Sequence, residues 1–222
     1  MTLKNRNATI ISLGLALCLT VGGLWLTRKT TVVCIGDSIT AGYTLADAIK
    51  SSYPSVLQRL LGENYIVLNL GASDCALSRL ADHSYYEHAN WVLAKEADAD
   101  IAVICIGTND TKQVNYKLAL GTFKKDMEGM LDSLQLLNPG QKQVLCIPPP
   151  HYKRSGYFVV DALGNSIRPI IEEIARKRHL RLVNLMEQLD GGMAIMPDSV
   201  HPNEKGASIM AGIIYNAIKE QD

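Results

Sequence analysis

The chain has 222 residues, and its 22 Lys plus Arg balance 22 Asp plus Glu, so the formal net charge at neutral pH is zero. That length allows one α/β domain with a substantial core, and the absence of a basic surplus argues against nucleic acid as a partner. Hydrophobic residues make up 47% of the chain and aromatics only 6%, a balance that suits a buried parallel sheet better than an aromatic-rich sandwich.

The first segment stands apart from the rest. Lys4 and Arg6 precede an uncharged run, ATIISLGLALCLTVGGLWLT (8–27), which Arg28 and Lys29 close. A helix of that length spans about 30 Å, the thickness of a bilayer's hydrocarbon core. It is longer than the apolar region of most cleaved signal peptides, and it has no polar face to suit a buried core helix. Residues 1–29 are therefore expected to be a signal-anchor, with a cleaved signal peptide as the alternative. Cationic residues flank the run on both sides, which leaves its orientation open. Residues 30–222 are the expected exported domain, held at the membrane through this segment or secreted.

From residue 30 onward, short apolar runs alternate with amphipathic ones. TVVCI (31–35), YIVLNL (65–70), IAVICI (101–106), QVLCI (143–147) and LRLVNL (180–185) read as strands apolar on both faces. Helices are expected between and after them: 53–62, with Pro54 near its start and Gly62 at its stop, then 90–98, 118–138, 166–179 and 203–221. Strict alternation means a parallel sheet with right-handed crossovers. The expected fold is a three-layer α/β/α flavodoxin-like sandwich with five parallel strands in the order 2-1-3-4-5, its site at the C-terminal strand ends. Cys34, Cys105 and Cys146 fall inside strands and read as inert buried residues. Cys75 falls in a loop, and no Cys-x-x-Cys spacing suggests a metal or redox site.

Five polar motifs collect on that C-terminal edge. Ser38 lies three residues past the first strand run, Gly71 follows the second, Gly-Thr-Asn-Asp (107–110) follows the third, Pro-Pro-Pro-His-Tyr (148–152) the fourth, and Asp198 and His201 lie beyond the fifth. A serine hydroxyl becomes a nucleophile when a base takes its proton. His201 is the candidate base, and Asp198, three residues earlier, can orient its ring. Candidate oxyanion donors are the backbone N–H groups of Ser38 and Gly71 and the side-chain amide of Asn109. Each residue also has an ordinary reading, as a helix cap or a loop residue; their convergence on one edge favours catalysis.

The blocks GDSIT, NLGAS, GTND and DSVHPN, in that order, resemble the SGNH (GDSL) hydrolase superfamily over most of residues 32–218. The resemblance implies a Ser38 nucleophile, a His201 base, Asp198 as its partner, and an oxyanion hole from Ser38, Gly71 and Asn109. It implies no metal and no organic cofactor. One departure lies in the second block, where many members carry another glycine soon after the first and this chain has Asp74 and Cys75. The segment from IPPPHY to MPDSVHPN looks like the sialate O-acetylesterase-like branch, which implies removal of acetyl groups from carbohydrates.

The loops on this edge are rich in His, Tyr, Lys, Arg, Asp and Asn and poor in Leu, Ile and Phe. His151, Tyr152 and Tyr157 are the candidate sugar contacts. The expected activity is hydrolysis of short-chain esters, acetyl above all, on carbohydrate. The alternatives are a lysophospholipase or acyl-thioesterase activity, and a non-catalytic carbohydrate-binding module on the same fold.

Overall fold

The computed structural model describes residues 28–150, 156–189 and 191–220. Five strands, β1 (Thr30–Gly36), β2 (Tyr65–Gly71), β3 (Ile101–Cys105), β4 (Lys142–Ile147) and β5 (Arg181–Asn184), form one sheet in the order β2-β1-β3-β4-β5. Every pairing is parallel. The expected strand order is therefore observed, with strand ends displaced by at most a residue.

The alternation within each strand sends neighbouring side chains to opposite faces. Val33, Ile35, Ala102, Ile104, Leu145 and Ile147 pack on one side with α4 (Ala89–Glu96), α5 (Tyr116–Leu137) and α6 (Arg168–Arg178). Val32, Cys34, Val103, Cys105, Val144 and Cys146 pack on the other with α3 (Tyr53–Leu61) and α8 (Glu204–Lys219). Three short helices complete the set: α1 (Ser38–Ala41), α2 (Ala48–Ser51) and α7 (Leu185–Gln188). Burial of nearly every residue of β1, β3 and β4 explains why they read as unbroken apolar runs.

The helix expected over 166–179 has a different start. A π-helical turn, Leu163–Ile167, leads into α6 at Arg168. Pro169 sits in the first turn, where its missing N–H has no intrahelical partner to lose. The long helix α5 begins at Tyr116, two residues before the apolar periodicity suggests. The apolar run 8–27 lies outside the described residues; among those described, no helix is long and apolar enough to cross a membrane.

Candidate active site

Ser38 opens α1 directly after β1, with Asp37 as the N-cap accepting the Ile39 N–H at 3.0 Å. His201 and Asp198 come from the loop that precedes α8, whose own N-cap is Asn203, bonded to the Gly206 N–H at 3.0 Å. The two loops meet at the C-terminal edge of the sheet. Ser38 Oγ lies 2.9 Å from His201 Nε2, across 163 residues of sequence. His201 Nδ1 lies 2.6 Å from Asp198 Oδ2.

The carboxylate partner decides the proton's place on the ring. An ionised carboxylate only accepts, so Nδ1 carries the hydrogen and the neutral imidazole turns its Nε2 lone pair to the Ser38 hydroxyl. Asp198 is itself held in position: its Oδ1 accepts the N–H groups of Val200 at 2.9 Å and His201 at 2.7 Å. Burial alone would push the Asp198 carboxyl up, but these N–H donors and the His201 ring outweigh it and hold the group below the usual carboxylate range. The serine, histidine and aspartate expected from the sequence thus form one hydrogen-bonded chain.

A cleft of about 320 Å³ opens over Ser38 and His201. Its walls include Tyr43, Asp74, Asn109, Tyr157 and Phe158. Asn109 gives one amide N–H to the Cys75 carbonyl at 3.0 Å, which leaves the second for the cleft. Among the described residues, the backbone N–H groups of Ser38 and Asp74 donate to no acceptor. Unpaired N–H groups bordering a cleft are the raw material of an oxyanion site.

Gly71 does not join them, a correction to the expected donor set. Its N–H is engaged by Asn69 Oδ1 at 3.0 Å, and it does not line the cleft. Its lack of a side chain has another cause: a Cβ there would lie 2.1 Å from the Ala41 backbone nitrogen, so glycine lets α1 pack against the end of β2. Asp74, three residues on, occupies the cleft wall instead, with φ at 69°. Tyr157, a candidate sugar contact, lines the cleft; His151 and Tyr152 lie outside the described residues. A larger hollow of about 600 Å³, lined by residues 141–143 and 179–182, sits at the N-terminal ends of β4 and β5, far from this chemistry.

Asp74, Asp82 and His83 bring potential ligand atoms within 4.8 Å of one another. The chain supplies its own cation there. The Lys112 ammonium bonds the Asp74 carboxylate and lies 3.9 Å from Asp82 Oδ2. Burial pushes the Asp74 carboxyl up, and the bonds from Lys112 and His83 more than offset it, holding it below its usual range. Asp110 is buried and accepts the N–H groups of Leu77 and Ser78, each at 2.8 Å; burial pushes its carboxyl up to about 6. It ties the turn after β3 to the loop that carries Asp74.

Residues 34–209 match the GDSL-like Lipase/Acylhydrolase family. The chain belongs to that family. An acetylxylan esterase of Xylanibacter ruminicola is 35% identical to this GDSL-like hydrolase over 206 residues, 85% of this chain and 43% of the relative. The chain therefore spans less than half of that relative's length. Est24, a carbohydrate acetylesterase from Sinorhizobium meliloti, superimposes with a TM-score of 0.73 at 18% identity, covering 87% of this chain and 100% of its own. An aryl esterase of M. smegmatis gives 0.71 at 15% identity, covering 86% and 99%. At such identities the likeness is one of fold.

Sequence reasoning missed Lys112 and Tyr43, and it marked Asp74 only as a departure in the second block. Asp110 stood in a quoted motif without a role. Nothing in the sequence around Lys112 marks it as a lysine that folds inward, since its partners Asp74 and Asp82 lie 38 and 30 residues away.

Proposed function

We propose that this GDSL-like hydrolase is a serine esterase that removes acetyl groups from carbohydrate. The observation that carries the reading is the continuous chain Ser38–His201–Asp198, at 2.9 and 2.6 Å. In the first half-reaction Ser38 Oγ adds to the acetyl carbonyl carbon while His201 Nε2 takes the hydroxyl proton. Asp198 stabilises the imidazolium that forms. Negative charge gathers on the carbonyl oxygen, and the candidate donors are Ser38 N–H, Asp74 N–H and the second amide hydrogen of Asn109. Each such donor is worth roughly 3–4 kcal/mol of transition-state stabilisation. Collapse expels the sugar alkoxide, which takes the proton from His201. In the second half-reaction His201 deprotonates a water, which adds to the acetyl-serine carbonyl; collapse breaks the bond to Ser38 Oγ, which takes the proton back from His201, and acetate is released.

The acetyl preference rests on the size of the cleft and on its walls. A volume of about 320 Å³ is at the small end of ligand sites. Tyr43, Tyr157 and Phe158 offer flat faces to a sugar ring, while Ser73 and Asp74 offer polar groups to its hydroxyls. The relative named as an acetylxylan esterase supports the same class. We read the uncharged run 8–27 as an export signal or anchor, which would place the domain outside the cytoplasm, where polymeric glycan esters are found.

The test is kcat/KM on p-nitrophenyl acetate, butyrate, octanoate and palmitate, with acetate release from acetylated xylan measured in parallel. The expected result is steep decline by octanoate together with acetate release. Specificity that rises with chain length, with no acetate released, would replace this reading with a lysophospholipase or thioesterase activity.

A further inference from the structure

Lys112 is buried, with about 1% of its surface exposed, although lysine is among the residues least often found in that state. Desolvating an ammonium is costly, and an apolar side chain of similar volume would fill the space at no such cost. The lysine is therefore expected to do something that packing alone does not. Its Nζ donates to the Asp74 backbone carbonyl at 3.1 Å and also to the Asp74 carboxylate. The second carboxylate oxygen of Asp74 is held by His83 Nδ1 at 2.8 Å.

Those contacts fix a residue in an unfavourable conformation. Asp74 has φ at 69°, in the left-handed region that glycine enters freely and other residues enter at a cost. Aspartate tolerates it better than most, yet nothing in its own chemistry makes it the preferred state. A grip on both the carbonyl and the side chain of one residue restrains the peptide on either side of its Cα. The lysine's own backbone is equally restrained. Residue 112 pairs with Phe158, and the N–H groups of Gln113 and Val159 bond Tyr157 and Thr111 across the same junction at 3.0 and 2.8 Å. Lys112 therefore stands between two walls of the cleft, the Asp74 loop and the Tyr157–Phe158 segment.

We propose that Lys112 is a positioning residue for the esterase reaction: it holds Asp74 in the left-handed conformation at the cleft wall, so that the Asp74 N–H stays unpaired and available to the substrate's carbonyl oxygen. A clamped aspartate here does what a glycine would do through its own conformational freedom. The proposal rests on the esterase reading for its effect on rate and on the conformation of Asp74 for its structural content. The two can fail separately.

The experiment is a double-mutant cycle on the full chain with p-nitrophenyl acetate, using Lys112→Met, Asp74→Gly and the two combined. In the parent background, Lys112→Met is expected to lower kcat at least tenfold while KM moves less than threefold, the mark of an interaction made in the transition state. In the Asp74→Gly background, the same substitution is expected to cost less than threefold, because glycine needs no clamp. Equal losses in both backgrounds would overturn the proposal. If Lys112→Met does not fold, Lys112→Gln, which keeps a donor for the Asp74 carbonyl but no charge, goes through the same cycle and is read the same way. A crystal structure of the folded Lys112 variant is decisive even if the parent has no esterase activity. Asp74 is expected to leave the left-handed region, and Asp74 retained near 69° would reject the clamp.

Discussion

The ring of Tyr43 stands edge-on to that of His201, their centroids 4.9 Å apart and their planes at 64°. Tyr43 sits just beyond the left-handed Gly42 that ends α1, so the helix bearing the nucleophile also brings a wall to the base. The hydrogen bond to Asp198 fixes one edge of the imidazole, and Tyr43 covers part of the remainder. Tyr43→Ala is expected to lower kcat several-fold, and Tyr43→Phe, which keeps the edge contact, is expected to stay within about twofold of the parent. Aromatic pairs of this kind are worth about 1 kcal/mol, roughly a fivefold effect. Steady-state kinetics on p-nitrophenyl acetate decide it. Equal loss in both variants would place the effect in the phenol hydroxyl.

Removal of any member of the proton-transfer chain has a larger consequence. Ser38→Ala and His201→Ala are each expected to lower kcat on the order of 10⁶-fold, since such groups act as a unit. Asp198→Asn is expected to cost about 10⁴-fold, because an amide favours the wrong imidazole tautomer. Thermal unfolding checks that each variant is folded. Activity is also expected to fall on acidification, as His201 must be neutral to accept the serine proton. A Ser38→Ala variant with parent-like turnover would reject the mechanism.

Asp37 makes a prediction about stability. Burial pushes its carboxyl from 3.8 up to about 6, opposed in part by the Ile39 N–H. A folded-state value above the unfolded one means a stability contribution that is complete below about pH 4 and lost as pH rises through about 6. Asp37→Asn removes that titration. It is tolerated sterically, because Oδ1 accepts the Ile39 N–H while Oδ2 is buried without a partner among the described residues. The variant's stability relative to the parent is expected to be higher at pH 7.5 than at pH 4, by on the order of 2 kcal/mol. Urea denaturation at the two pH values measures it. An unchanged difference would mean that Asp37 titrates normally.

The cysteines are expected to be inert. Among the described residues, Cys34, Cys75, Cys105 and Cys146 are all buried and none is in a disulfide. Burial pushes the Cys75 thiol, the nearest to the cleft, up to about 11, so little thiolate exists at neutral pH. Iodoacetamide at pH 7.5 is therefore expected to leave activity unchanged over an hour. Rapid inactivation, prevented by substrate, would show that the Asp74–Cys75 loop opens in solution.

The location of the chain tests the reading of its first segment. The full chain is expected in the membrane fraction after cell lysis, and residues 30–222 alone in the soluble fraction. Recovery of a shortened soluble chain starting near residue 24 would favour a cleaved signal.

Local pattern was enough for much of this protein. The apolar runs that became β1, β3 and β4 are legible because helices cover them on both faces. The parallel order follows because each strand is followed by a segment long enough to cross back. Ser38 was legible as a candidate because a residue just past a parallel strand must emerge at the C-terminal edge; Asp198 and His201, on the loop before α8, were legible as a pair through their three-residue spacing. The donors around them were not. Gly71 ends β2 and Asp74 lies three residues further on, and only the packing of α1 against Gly71 and the bond to Asn69 withdraw the first from the cleft. Lys112 and Asp74 are 38 residues apart, on loops after different strands. Their pairing depends on how two turns are packed beside each other, and on a buried charge whose cost is met only by partners that the folded chain brings to it.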